Sequence, residues 1–135
     1  MKLKLENLPA SLHNQADVIR RCIEAFDRTM PLQEVYLFGS HARGEAGPDS
    51  DVDLCIVAEG AERQAEAAAA LRRATRAIVP KPSFSLVPIA PARLREKRAA
   101  GDHFFQTVLQ EGIPIASQDR FKQSGRLALP RRPRS

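Results

Sequence analysis

Apolar side chains recur along this chain at two spacings, and the alternation between them lays out its elements. Ala16, Ile19, Ile23, Phe26 and Met30 return every three or four positions. That period predicts an amphipathic helix over residues 12–29, which Pro31 helps to end. Residues 34–38 are a short apolar run and read as a strand that delivers Gly39 and Ser40 to its end. A second strand is expected over residues 51–57, with Val52, Leu54 and Ile56 on the face away from Asp51 and Asp53. Residues 61–78, rich in alanine, glutamate and arginine, place Leu71, Thr75 and Ile78 on one side of a second helix limited by Pro80. Ser83 to Ile89 reads as a third strand. Residues 91–100 and 102–111 predict two helices broken at Gly101, with Gly112 as the C-cap of the second. Ile113-Pro114-Ile115 fits a short edge strand, where the missing proline N–H is tolerated. This order predicts an α/β domain, a small mixed β-sheet backed by helices.

With 135 residues there is room for one core. No run approaches the roughly 20 apolar residues of a membrane span, and Met1 to Asn7 lacks the apolar core of a signal peptide. The expected location is therefore the cytoplasm. Cys22 and Cys55, in a helix and a strand, have no metal-ligand spacing and read as buried thiols. The net charge of +5 has a local origin. Arg120, Lys122, Arg126, Arg131, Arg132 and Arg134 face Asp119 alone, so residues 117–135 carry the whole excess and residues 1–116 are formally neutral. A neutral body argues against a broad nucleic-acid-binding face. The domain is expected over residues 1–116. The basic segment 117–135, with Pro130 and Pro133, reads as a disordered extension or as an arm ordered by a partner.

The chemistry concentrates between Tyr36 and Leu54. Gly39-Ser40 ends one strand, ten residues follow, and Asp51-Val52-Asp53 opens the next. Carboxylates two apart in a strand project to one side, so Asp51 and Asp53 can share hard divalent cations such as Mg²⁺, which favour carboxylates together with substrate phosphates. Gly39 leaves the backbone open to a phosphate. Ser40 adds a hydroxyl and an amide. Together they read as a site for a metal–nucleoside triphosphate. Arg43 adds either a charge-assisted phosphate contact or a loop ion pair with Asp49 or Glu45. His41 reads as a loop residue facing base or solvent, and His103 as a helix-surface residue. No pair of histidines has metal-ligand spacing.

The stretch Phe38-Gly39-Ser40-His41-Ala42-Arg43-Gly44, continued by Ser50-Asp51-Val52-Asp53-Leu54, resembles the nucleotidyltransferase superfamily related to DNA polymerase beta, and within it the stand-alone minimal nucleotidyltransferases. The looser similarity runs from about Asn14 to Ile115. The resemblance implies that family's fold and a metal-dependent transfer in which an acceptor oxygen attacks the α-phosphate and pyrophosphate leaves. It implies Asp51 and Asp53 as catalytic ligands of Mg²⁺ or Mn²⁺, Gly39 and Ser40 as nucleotide contacts, and ATP as the expected triphosphate. It also implies a protein partner of the HEPN type, with this chain as the antitoxin half of a toxin–antitoxin pair. A homo-oligomer is the other open assembly. Phe104, Phe105, Val108 and Leu109 supply either a docking surface or the domain's own core.

One position departs from the family pattern. Active members carry a third carboxylate on the next strand, ahead of an apolar pair, and the matching residue here is Ser85 in Phe84-Ser85-Leu86-Val87. A hydroxyl neither neutralises a metal nor takes a proton near neutral pH. Three explanations stand open: another acid such as Glu34 supplies the charge, a partner completes the site, or the protein binds nucleotide and metal without turnover.

Overall fold

The computed structural model describes residues 1–118. The basic segment anticipated over 117–135 therefore lies outside the described residues, apart from Ser117 and Gln118. The strands are β1 (Lys2–Leu3), β2 (Leu32–Phe38), β3 (Val52–Ala58), β4 (Phe84–Ile89) and β5 (Ile113–Ser117). The helices are α1 (Ala16–Thr29), α2 (Gly39–Arg43), α3 (Gln64–Ala74), α4 (Pro91–Ala99) and α5 (His103–Glu111). The strands form one mixed sheet in the order β1-β5-β2-β3-β4, in which β3 and β4 run parallel and every other pair is antiparallel.

Both faces of the sheet are covered. Val35, Leu37, Leu54, Ile56 and Ile115 pack beneath Ile19, Ile23 and Phe26 of α1 and Leu71 of α3. On the opposite face, Cys55, Val57 and Ile89 meet Leu94 of α4 and Phe105 and Val108 of α5. The unbroken run Leu54-Cys55-Ile56-Val57-Ala58 is what a strand buried on both faces requires. Val52, Leu54 and Ile56 do lie on the face away from Asp53, as their spacing predicts.

Several boundaries differ from the periodicity, each for a local reason. The first helix begins at Ala16 rather than residue 12, because Ala10–Gln15 winds as a 3-10 turn that still buries Leu12. Met30, the last apolar residue of that pattern, is the extended C-cap. The alanine-rich helix covers only 64–74: the Thr75 hydroxyl bonds back to the Leu71 and Arg72 carbonyls, both at 3.3 Å, and the chain turns there. Ala61 is buried but lies outside the helix.

Ile113-Pro114-Ile115 is not an edge strand. β5 extends to Ser117 and sits between β1 and β2. Pro114 is accommodated by a register shift, since Val35 pairs with Ala116 but Tyr36 pairs with Pro114. The Pro114 carbonyl accepts from Asn7 Nδ2 at 2.7 Å. Gln118 continues this stitching, its amide donating to the Gln33 carbonyl at 2.9 Å. Gly112 stands at the C-cap of α5, but with φ −67° it is not a left-handed cap. Glycine is needed there for a different reason, because a Cβ would collide with the Val108 carbonyl and lie 3.3 Å from Tyr36 Cβ.

Candidate functional site

The end of β2 and the start of β3 bring the motif together. Phe38 is paired with Asp53 across the antiparallel ladder, and Asp53 is paired with Ser85 across the parallel one. Three adjacent strands thus converge on Asp53. Gly39 and Ser40 are not a bare turn: they open α2, a five-residue helix that ends at Gly44. N–H groups in a first helical turn have no intrahelical acceptor, so these amides suit an anion.

Gly39 carries a physical constraint that differs from the one its sequence context suggests. Its φ is +76°, and a Cβ built on it would overlap the Asp53 carboxylate. The space left by the missing side chain is filled by Asp53 itself. Backbone and carboxylate are in direct contact, which fixes the first turn of α2 against β3.

Asp51 precedes β3 by one residue and is exposed, whereas Asp53 is half-buried within the strand. Burial, followed by the charge of Asp51, pushes the Asp53 carboxyl above its ordinary value of 3.8. A hydrogen bond from the Ser85 hydroxyl and the charges of His41 and Arg43 act in the opposite sense. A carboxylate whose ionisation is opposed by burial and by a neighbouring carboxylate is one whose charged form a divalent cation would favour. Among the described residues no group of three or more His, Cys, Asp or Glu side chains is arranged to hold a metal. The oxygen donors here are two carboxylates with a hydroxyl beside them, which suits Mg²⁺ or Mn²⁺ when substrate phosphates complete the shell.

Glu34 does not replace the missing third carboxylate. It is paired with Val57, four residues along β2 from the Phe38–Asp53 pair, or about 13 Å at strand rise. Its Oε1 accepts the Tyr36 hydroxyl proton at 2.7 Å, and burial with the Glu34 charge drives that phenol well above its usual range.

Arg43 pairs with Glu45 through Nε at 3.0 Å and with Glu111 of α5 through Nη1 at 3.6 Å. The ion-pair expectation is met with Glu45, not Asp49. His41 departs from the sequence reading, for it is 6 % exposed and shares a 2.9 Å hydrogen bond between Nδ1 and the Ser11 hydroxyl. Ser11 thereby anchors α2, and nothing in the sequence marks it, because the partners are 30 residues apart. A cavity of about 510 Å³ opens behind the 46–50 loop, lined by Ser11, His41 and Asp49 but not by Asp51 or Asp53. Phe105 and Val108 fill the core, while Phe104 is 46 % exposed and meets Phe38 edge-on with ring centroids 5.8 Å apart.

Sheet order, the Gly-Ser helix and the paired aspartates define a nucleotidyltransferase-type architecture. The chain belongs to the nucleotidyltransferase domain family, whose model matches residues 19–114. Among solved structures it is similar to a proposed nucleotidyltransferase from Sulfolobus solfataricus, at 21% identity over 62% of this chain and 73% of that one, with a TM-score of 0.48. It is also similar to a toxin–antitoxin structure with AMP-PNP, at 24% identity over 78% of this chain and 77% of that one, with a TM-score of 0.48. A mutant of the MntA-HpeT toxin–antitoxin gives 22% identity over the same shares and a TM-score of 0.47. No curated protein matches the chain significantly.

Proposed function

We propose that this protein binds a nucleoside triphosphate, with ATP expected, and transfers its nucleoside monophosphate to a side chain of a protein partner or to a small acceptor. The observation that carries this reading is the Asp53 carboxylate seated against the Gly39 backbone, which sets a cation-seeking group beside the free amides of α2. Asp51 and Asp53 would hold Mg²⁺ or Mn²⁺, which when bound supplies positive charge to phosphoryl oxygens. The Gly39 and Ser40 amides and the Ser40 hydroxyl would bind and orient the triphosphate. Arg43 would exchange its exposed carboxylate partners for a phosphate oxygen. Its guanidinium stays protonated throughout. The acceptor oxygen bonds to the α-phosphorus, the bond to the bridging oxygen breaks, and pyrophosphate leaves. The acceptor's proton passes to water or to a group of the partner, because the Ser85 hydroxyl is no base at neutral pH. In line with the resemblance to minimal nucleotidyltransferases, we favour a HEPN-type partner and an antitoxin role.

Ser85 in register with Asp53 favours a second reading, a subunit that binds nucleotide or partner without turnover. Transfer of label from α-labelled ATP separates the two. Wild type, Ser85→Asp and Asp51→Asn/Asp53→Asn are assayed with Mg²⁺ or Mn²⁺, with and without the protein encoded beside this one. Label on an acceptor with wild type, lost in the double aspartate variant, establishes transfer. Label only with Ser85→Asp establishes the binding subunit. Silence from all three removes the catalytic reading.

A further inference from the structure

A second cleft lies across β4 from Asp53. Ser85 neighbours Asp53, whereas Phe84 and Leu86, the residues on either side of it, face the opposite way and line a cleft of about 420 Å³. Arg72, Arg76 and Lys81 supply three cations to its walls, and the lining contains no carboxylate. Among the described residues none of these three forms an ion pair, although Arg20, Arg43, Arg63 and Arg93 each hold a carboxylate. Arg72 reaches only the Phe84 carbonyl, through Nη1 at 3.4 Å. The field of Lys81 extends inward to the Cys22 thiol, where it works against the effect of burial, and Arg21 adds to it. Cations gathered around a concave wall focus positive potential into the space between them. A ligand that relieves such repulsion is an anion.

Size and composition narrow the class of anion. The volume is that of a small-ligand pocket. Three cations beside the half-buried ring of Phe84 match several adjacent phosphate charges better than a single carboxylate. We propose that this cleft binds the phosphate chain of a small inorganic or nucleoside polyphosphate through Arg72, Arg76 and Lys81, without a divalent metal. The site is separate from Asp51 and Asp53 and does not depend on transfer at that centre. Because β4 is an edge strand and Ser85 lies next to Phe84, an occupant would bear directly on the strand that faces Asp53.

The test is an amide NMR titration of the full chain in EDTA with inorganic triphosphate and, separately, with ATP. Wild type is run beside Arg76→Ala/Lys81→Ala and Asp51→Asn/Asp53→Asn, and the spectra themselves report whether each variant is folded. Saturable shifts at Thr75, Arg76 and Phe84 are expected. The double cation variant should weaken binding by about tenfold or more, as loss of two charge-assisted contacts requires. The aspartate variant should bind within about twofold of wild type, since no metal is involved. Equal affinity for the two ligands identifies the phosphate chain as the whole determinant. Tighter ATP binding that Phe84→Ala abolishes adds the base. Shifts confined to residues 119–135, or affinity indifferent to Arg76→Ala/Lys81→Ala, would overturn the proposal.

Discussion

Replacing Gly39 by alanine tests the contact on which the site is built. Two separate costs arise. An alanine held at the Gly39 φ of +76° is in the left-handed region, which costs about 1–2 kcal/mol. Its methyl would also overlap the Asp53 carboxylate, and forcing a methyl into a packed position costs about 1–3 kcal/mol. A double-mutant cycle separates them. In an Asp53→Ala background the carboxylate overlap is gone and only the residue 53 Cβ, 3.2 Å away, still presses on the methyl, so Gly39→Ala should cost mainly the backbone part. The coupling between the two positions is then about 1–3 kcal/mol, in the sense that the double variant is more stable than additivity predicts. At roughly 4 °C of melting temperature per kcal/mol for a domain of this size, that difference is easily resolved. Urea unfolding of the four proteins at pH 7 in EDTA supplies the free energies. Additivity within about 0.5 kcal/mol would show that Asp53 does not occupy the space beside Gly39 and that its carboxylate is not fixed against α2.

Three further outcomes are expected. The Asp53 carboxyl is held above its ordinary 3.8, so its contribution to stability is full below that value and is lost as pH rises through the higher folded value. Asp53→Asn should therefore gain on wild type between pH 3 and 7 in metal-free thermal melts, and a constant gap across that range would contradict the shift. Gly112→Ala drives a methyl into the Val108 carbonyl, and should destabilise by about 2 kcal/mol or more in chemical denaturation; a neutral result would mean the α5–β5 junction opens freely. Burial pushes the Cys55 thiol up to about 12, so native protein at pH 8 should leave it unreactive to Ellman's reagent until urea is added.

What could be read in the sequence follows the range of the forces involved. Ile19, Ile23 and Phe26 mark α1 because a helix facing a sheet needs an apolar stripe, and that stripe is local. The continuous run from Leu54 to Ala58 marks β3 in the same way. Ser85 could be aligned with the third-carboxylate position from its apolar neighbours, and the parallel register puts it beside Asp53. Other features are set by partners far away in the chain. α2 is five residues long, too short for a period to appear, and its anchor is Ser11. The same distance hides the burial of His41. β5 looks like an edge until Lys2 and Leu3 are seen beside it, and two residues carry no pattern. Gly39 was legible as a special position, but whether a phosphate or Asp53 fills its open side depends on the β2–β3 register.

The placement of β5 bears on how this sheet assembles. β2 has two long neighbours, of which β3 follows after a short connection while β5 lies more than 70 residues further along the chain. Local pairing of β2 with β3 can form early. Closure against β5 must wait for a distant strand, and loop-closure entropy makes such contacts slow. Until then the far side of β2 presents unpaired N–H and C=O groups flanked by the apolar side chains of Val35 and Leu37, the kind of edge on which one chain templates another. The rate at which β5 reaches β2, more than the final stability of the fold, would then set how much of this protein escapes aggregation at high concentration.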